Sequence, residues 1–147
     1  MKVFLDTNVL ASAAATRGLC ADVLREVFAS HELFISEQVL IELRRVLRLK
    51  FSVSQELIDD FIELLEQDSI PAQPGQLPKI ELKDSDALTI LGAAISAGAE
   101  VLITGDQELL ALNRVSNLEI ISPRQFWERL RAQQQHGGGR KEPRRSR

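Results

Sequence analysis

One cysteine and two histidines are all the chain has of those residues in its 147. Cys20 cannot close an internal disulfide, and a thiolate zinc site has no second sulfur to use. His31 and His136 leave imidazole-based metal or triad chemistry almost nothing to work with. Long apolar runs are missing too. Nothing approaches the roughly eighteen residues of a membrane span, and the opening Met1-Lys2-Val3-Phe4-Leu5-Asp6 meets a carboxylate before a leader could develop. A cytoplasmic protein without membrane association is the expectation.

What is present is an ordinary globular composition, 44% hydrophobic and 27% charged, with enough chain to bury a core. The net charge of −3 is unevenly spread. Arg140, Lys141, Arg144, Arg145 and Arg147 stand against Glu142 near the end, a local +4, so the rest of the chain carries −7. Such an acidic body suits a nucleic-acid partner only if cations neutralise part of it.

Short apolar segments alternate with helical patterns. Lys2 to Leu5, Leu33 to Ile35, Val101 to Ile103 and Glu119 to Ile121 read as buried strands. Helices are predicted over Thr7–Ala15 and Ala21–Ala29, after a Ser36 cap, after a Ser52-Val53-Ser54-Gln55 capping box, over Asp84–Ala97 with Gly98 as the stop, and from Ser122-Pro123 onward. Pro71, Pro74, Gly75 and Pro78 predict a loop. The alternation implies an α/β sandwich around a parallel sheet. Residues 1–131 are expected as one domain and 132–147, with its glutamine, glycine and basic runs, as a disordered tail.

In a right-handed β-α-β array every strand ends, and every following helix begins, at one edge of the sheet. Ligands bind in the crevice outside that edge. Asp6 follows the first strand directly, and Asp106 follows the Val101–Thr104 segment by one glycine. Asp84 and Asp86 open the helix leading into that segment. Glu42 lies roughly 9 Å along its helix, within reach of a side chain tilted back toward the N-terminus. Carboxylates converging from four segments repel one another or demand a cation. An oxygen-only set suits magnesium or manganese, and metal-assisted phosphodiester hydrolysis needs neither histidine nor cysteine. A plainer reading stands beside this one: Asp6 or Thr7, Asp84 or Ser85, and Asp106 all occupy helix-cap positions, and Glu42 has arginines around it.

Three segments resemble the PIN-domain family of metal-dependent nucleases: Phe4-Leu5-Asp6-Thr7-Asn8-Val9-Leu10, Ser36-Glu37-Gln38-Val39-Leu40-Ile41-Glu42-Leu43, and Leu102-Ile103-Thr104-Gly105-Asp106-Gln107-Glu108-Leu109-Leu110. The likeness runs in order from about Lys2 to Leu130 and is nearest the branch of toxin components of toxin–antitoxin pairs. It implies metal ligands, hence catalytic acids, at Asp6, Glu42, Asp106 and an aspartate opening the third helix of the motif set, with Asn8 and Thr104 as polar supports. That branch often separates two aspartates by two residues. Here Asp84-Ser85-Asp86-Ala87 departs from the pattern, so Asp86, directly before the apolar helix, is the expected ligand and Asp84 its rival. The resemblance further implies a three-layer sandwich with four or five parallel strands in the order 3-2-1-4-5, and a Mg2+- or Mn2+-dependent endoribonuclease leaving 5′-phosphates. It also implies a homodimer and a small antitoxin partner. A scaffold that binds RNA or protein without cutting is the alternative.

Arg44, Arg45 and Arg48, with Lys50, form the body's basic cluster and either receive the RNA backbone or face solvent. His31 falls at the wrong edge for the site. Phe126 and Trp127 read as core, and Cys20 as a small half-buried apolar residue. A receiver-like signalling module would need a lysine after the last strand, where Ser122-Pro123-Arg124 stands. A haloacid-dehalogenase-type phosphatase would need an aspartate at Asn8.

Overall fold

A strand covered by helices on both faces must be apolar on both, and Val3, Phe4 and Leu5 are all fully buried. The computed structural model describes residues 1–141, and the side chains of residues 1–134. In chain order the elements are β1 (Lys2–Leu5), α1 (Thr7–Ala15), α2 (Leu19–Ser30), β2 (Glu32–Ser36), α3 (Glu37–Leu49), α4 (Gln55–Gln67) and β3 (Ile70–Ala72). There follow α5 (Ser85–Ser96), β4 (Val101–Ile103), α6 (Gln107–Leu110), β5 (Arg114–Val115), β6 (Leu118–Ile121) and α7 (Pro123–Lys141). Among the described residues no helix is long and apolar enough to cross a membrane.

The six strands form one sheet in the order β3-β2-β1-β4-β6-β5. The five parallel strands keep the expected 3-2-1-4-5 order, with β6 in the fifth place. The sixth, β5, was not expected. It is two residues long and pairs antiparallel with β6 through a turn in which Ser116 adopts a φ of 55°. From β1 the chain steps outward to β2 and β3, then returns to β4 on the other side of β1. Right-handed crossovers place α1 to α4 on one face and α5 on the other, and α5 packs on β2 and β3. The reversal of direction falls between β1 and β4, the switch point where open α/β sheets hold ligands.

Three local expectations need correction. Pro71 lies in a strand rather than a loop: β3 pairs with β2 in the register Ile35↔Pro71. It is tolerated because β3 is the sheet edge and the missing N–H has no ladder to serve there. The cap of α4 is Ser54, whose hydroxyl accepts from Leu57 N, not Ser52. Ser52 sits at a φ of 55° in the reversal after α3, where Val53 N reaches Leu47 O at 2.9 Å. Helix α2 starts at Leu19, two residues earlier than the apolar pattern suggested. At the other end, α7 continues past Arg131 to Lys141, with residues 132–134 exposed, and residues 142–147 lie outside the described part of the expected tail.

The segment from Gln73 to Asp84 has little regular structure but is not loosely held. A side chain on Gly75 would overlap the Gly92 carbonyl of α5, and one on Gly92 would come within 2.9 Å of the Gln76 carbonyl oxygen. Backbone rests directly on backbone. Only glycine allows that approach.

Candidate metal centre

Each acid is delivered to the carboxyl edge by its own piece of chain. Asp6 ends β1 and caps α1: Thr7 N donates to its Oδ1 at 2.7 Å. Its Oδ2 accepts from the Thr104 hydroxyl at 2.6 Å. Thr104 has no exposed surface, and its oxygen also accepts from Asp106 N at 3.0 Å. One threonine thus ties the acid after β1 to the acid after β4, across the switch point. Asp106 caps α6, its Oδ1 accepting from Glu108 N at 2.8 Å and Leu109 N at 3.3 Å. Asp84 caps α5 through Asp86 N at 2.9 Å. Glu108 draws the two segments together by accepting from Lys83 N at 2.9 Å.

Asp6, Asp84 and Asp106 line a single cleft of about 90 Å³ that also takes in Thr7, Asn8, Gln38, Glu42, Asp86, Ala87, Ile90 and Leu109. All five acids singled out in the sequence border it, as does Asn8, while Thr104 acts from below through Asp6. Glu42 reaches it from the second turn of α3, with Oε2 held by Arg45 at 2.6 Å. Ala87, where the usual motif spacing would put an acid, is a buried part of the wall. Asp84 and Asp86 are both exposed at the rim.

The basic cluster does not line the cleft, though Arg45 reaches one of its acids. Arg44 pairs with Asp59 of α4 at 3.0 Å and Arg45 with Glu42, and neither they nor Arg48 line the cavity. His31 lies at the opposite edge, where the Met1 amino group approaches its Nδ1 at 3.3 Å. Phe126 is wholly buried and Trp127 packs against the core. Cys20 is half-buried. Two cleft residues were missed by sequence reasoning, Thr7 as more than a cap and Gln38 altogether. Gln38 precedes Glu42 by four positions, and that helical spacing was a signal available to find it.

Apart from Glu42, which Arg45 holds, the negative charge of the cleft is unmatched: among the described residues no lysine, arginine or histidine lines it. The Asp6 carboxyl is pushed above its ordinary value of 3.8, first by burial and then by the charges of Asp106 and Asp84, against the opposing bonds from Thr104 and Thr7. Among the described residues, no three acids stand close enough to form a closed coordination shell. One oxygen each on Asp6, Asp84 and Asp106 is committed to a backbone N–H. The donor chemistry, all oxygen and all anionic, fits a hard divalent cation, and the spacing is that of an open cleft.

A PIN-domain family model matches residues 2–108 of the chain. Among solved structures it is similar to VapBC2 from Rickettsia felis, crystallised bound to a DNA fragment from their promoter, at 18% identity and a TM-score of 0.58, over 83% of this chain and 98% of that one. It is also similar to PAE2754 from Pyrobaculum aerophilum, at 20% identity and a TM-score of 0.59, over 90% of each chain. At such identities the likeness is one of fold. The comparison with curated proteins gives no match.

Proposed function

The chain belongs to the PIN-domain family, and from that premise we propose that it is a Mg2+- or Mn2+-dependent endoribonuclease, the toxin of a toxin–antitoxin pair. The observation that carries this reading is the cleft itself. Five acids from four segments border one cavity at the switch point, and among the described residues no cationic side chain lines it with them. Asp6, Glu42, Asp86 and Asp106 are the proposed ligands and catalytic acids. Asp86 is preferred because, among the described residues, neither of its side-chain oxygens has a partner, whereas Asp84 is engaged as the α5 cap.

A bound divalent cation supplies polarisation of a phosphoryl oxygen, activation of water and stabilisation of the leaving alkoxide. The protein's own contribution is placement. Thr104 fixes the rotamer of Asp6 and the backbone of Asp106 with one hydroxyl. Hydrolysis forms a bond from water oxygen to phosphorus, breaks the bond to the 3′ oxygen, and leaves a 5′-phosphate and a 3′-hydroxyl.

An antitoxin protein, a homodimer and a cytoplasmic setting complete the proposal. Exposed Ile41 and Leu49 on α3, and Leu57 and Leu64 on the adjoining α4, offer apolar surface to a protein partner. The second reading is a scaffold that binds RNA or protein without cutting, and the open spacing of the acids favours it. Incubation of single-stranded RNA with the protein decides. Fragments bearing 5′-phosphates are expected with Mn2+ or Mg2+ and none in excess chelator, along with a Mn2+-dependent rise in Tm; at a hundred times its Kd a bound ion adds about 2.7 kcal/mol. Cutting that persists in chelator removes the metal from the mechanism. Intact RNA with Mn2+ and an unmoved Tm leaves the scaffold.

A further inference from the structure

Two atoms in the cleft wall lack any partner among the described residues: Thr7 Oγ1 and Gln38 Oε1, both buried. Buried polar atoms are nearly always hydrogen-bonded, so a pair of orphans in one small cavity calls for a ligand. Thr7 is 5% exposed. It opens α1, and no earlier helical turn offers its hydroxyl a carbonyl, the usual outlet for threonine in a helix. Its neighbour Asp6 does not take it: the bonds its carboxylate accepts come from Thr7 N and from Thr104. Gln38 lies one turn before Glu42 on α3, the same face of that helix, and α3 packs against α1. Its Oε1 can only accept, and among the described residues no group donates to it.

The missing partner must accept from a hydroxyl, donate to an amide oxygen, and fit beside carboxylates in about 90 Å³. Water does all three. We propose that Thr7 and Gln38 seat and orient the water that attacks the phosphodiester, an inference that rests on the nuclease reading. The water accepts from the Thr7 hydroxyl and donates one hydrogen to Gln38 Oε1. Its other hydrogen faces a cleft carboxylate, and its remaining lone pair is left for phosphorus. As the new oxygen–phosphorus bond forms, that second proton passes to the carboxylate, the bond to the 3′ oxygen breaks, and the 3′ oxygen takes a proton from solvent.

Thr7→Val and Gln38→Met remove the polar atoms at nearly constant volume. With Mn2+ present, each is expected to lower kcat on the order of 10²-fold, the usual penalty for a reactant misplaced by about an ångström. KM and the Mn2+ midpoint stay in place, and Thr7→Ser restores most of the rate lost in Thr7→Val. Metal-free protein gives a readout that needs no activity. If one water bridges both atoms, each single variant lowers Tm by about 2–4 °C, and the double variant is no worse than the poorer single, because the pair share one partner. Tm values that rise in both singles mean dry orphans, and they overturn the proposal. So does wild-type kcat in both. A wild type that does not cut RNA with Mn2+ brings down the nuclease reading and the attacking role together, and the metal-free cycle then reports on the water seat alone.

Discussion

Asp6 follows β1 and Glu119 lies on β6, two strands away in the same sheet, and the protein treats their charges in opposite ways. Glu119 on β6 meets the guanidinium of Arg129 from α7 in a two-pronged contact of 2.9 and 2.8 Å. The Arg129 bond holds its carboxyl below the usual value of 4.5. Asp6 receives neutral donors only, and burial followed by its acidic neighbours drives it the other way. The Glu119 pair is about a third exposed on each side, so it contributes no more than about 1 kcal/mol. Glu119, which serves the fold, is given a cation of the chain's own. Asp6, at the cleft, is given none among the described residues, and its neutralising charge has to come from outside.

The sharpest way to break that contrast is to neutralise each acid in turn. Asp6→Asn and Asp106→Asn are expected to reduce RNA cleavage by about 10³-fold or more, the scale of several kcal/mol of lost charge stabilisation. Asparagine still caps a helix, so both variants should remain folded. Glu119→Gln is expected to cut at the wild-type rate. A Glu119 variant as slow as the Asp6 variant, at equal Tm, would dissolve the distinction.

A smaller effect separates the two acids at the start of α5. Asp86→Asn is expected to lose about 10²-fold in kcat/KM and to weaken the Mn2+ midpoint, and Asp84→Asn about tenfold, the range typical of a residue that acts through a ligand's surroundings. The charge of Asp84 does reach Asp6. If Asp84→Asn proves the deeper loss in parallel kinetics, the ligand is the cap and the family's spacing has been kept by the earlier aspartate.

The smallest effect is on stability and pH. Because the folded-state value of Asp6 is raised, the folded protein takes up its proton first. Metal-free Tm should therefore climb as pH falls through that raised value and level off near the ordinary 3.8. Glu119 behaves inversely: its contribution is present above the ordinary 4.5 and is lost as pH falls through the lowered value. Calorimetry across this range should show the upward limb vanish in Asp6→Asn, with Tm at neutral pH equal to or above wild type. In Glu119→Gln the low-pH loss should shrink by about 1 kcal/mol or less. An Asp6→Asn protein that keeps the upward limb assigns it to another acid.

Much of this was legible in the chain because the deciding signals are local. Ser36 caps α3 through Val39 N, and Ser122 and Gln125 exchange bonds at the start of α7, as their spacing predicts. The acids fall on one edge because parallel topology leaves them no other. Local signals fail where a neighbour decides. Ser52 and Ser54 both suit a cap, and the choice passes to Ser54 only because the turn after α3 takes Ser52 into left-handed backbone. Pro71 reads as loop until β2 offers it an edge. Thr7 and Gln38 become orphans only when α1 and α3 pack, which no spacing along one helix reveals.

The meeting of Gly75 with Gly92 has a bearing on how this protein can be altered. It acts as a rivet: on one side lies the edge strand β3, on the other the stretch Leu77 to Lys83 that leads to the cleft's acids. Leu77 is 54% exposed, so extra length inserted beside it can bulge into solvent while the rivet and the Lys83–Glu108 bond keep α5 seated. Shape is another matter. An alanine at position 75 has no rotamer with which to evade the Gly92 carbonyl, so the segment and α5, with Asp84 and Asp86 at its tip, must move apart. The segment is thus elastic in length and rigid in contour.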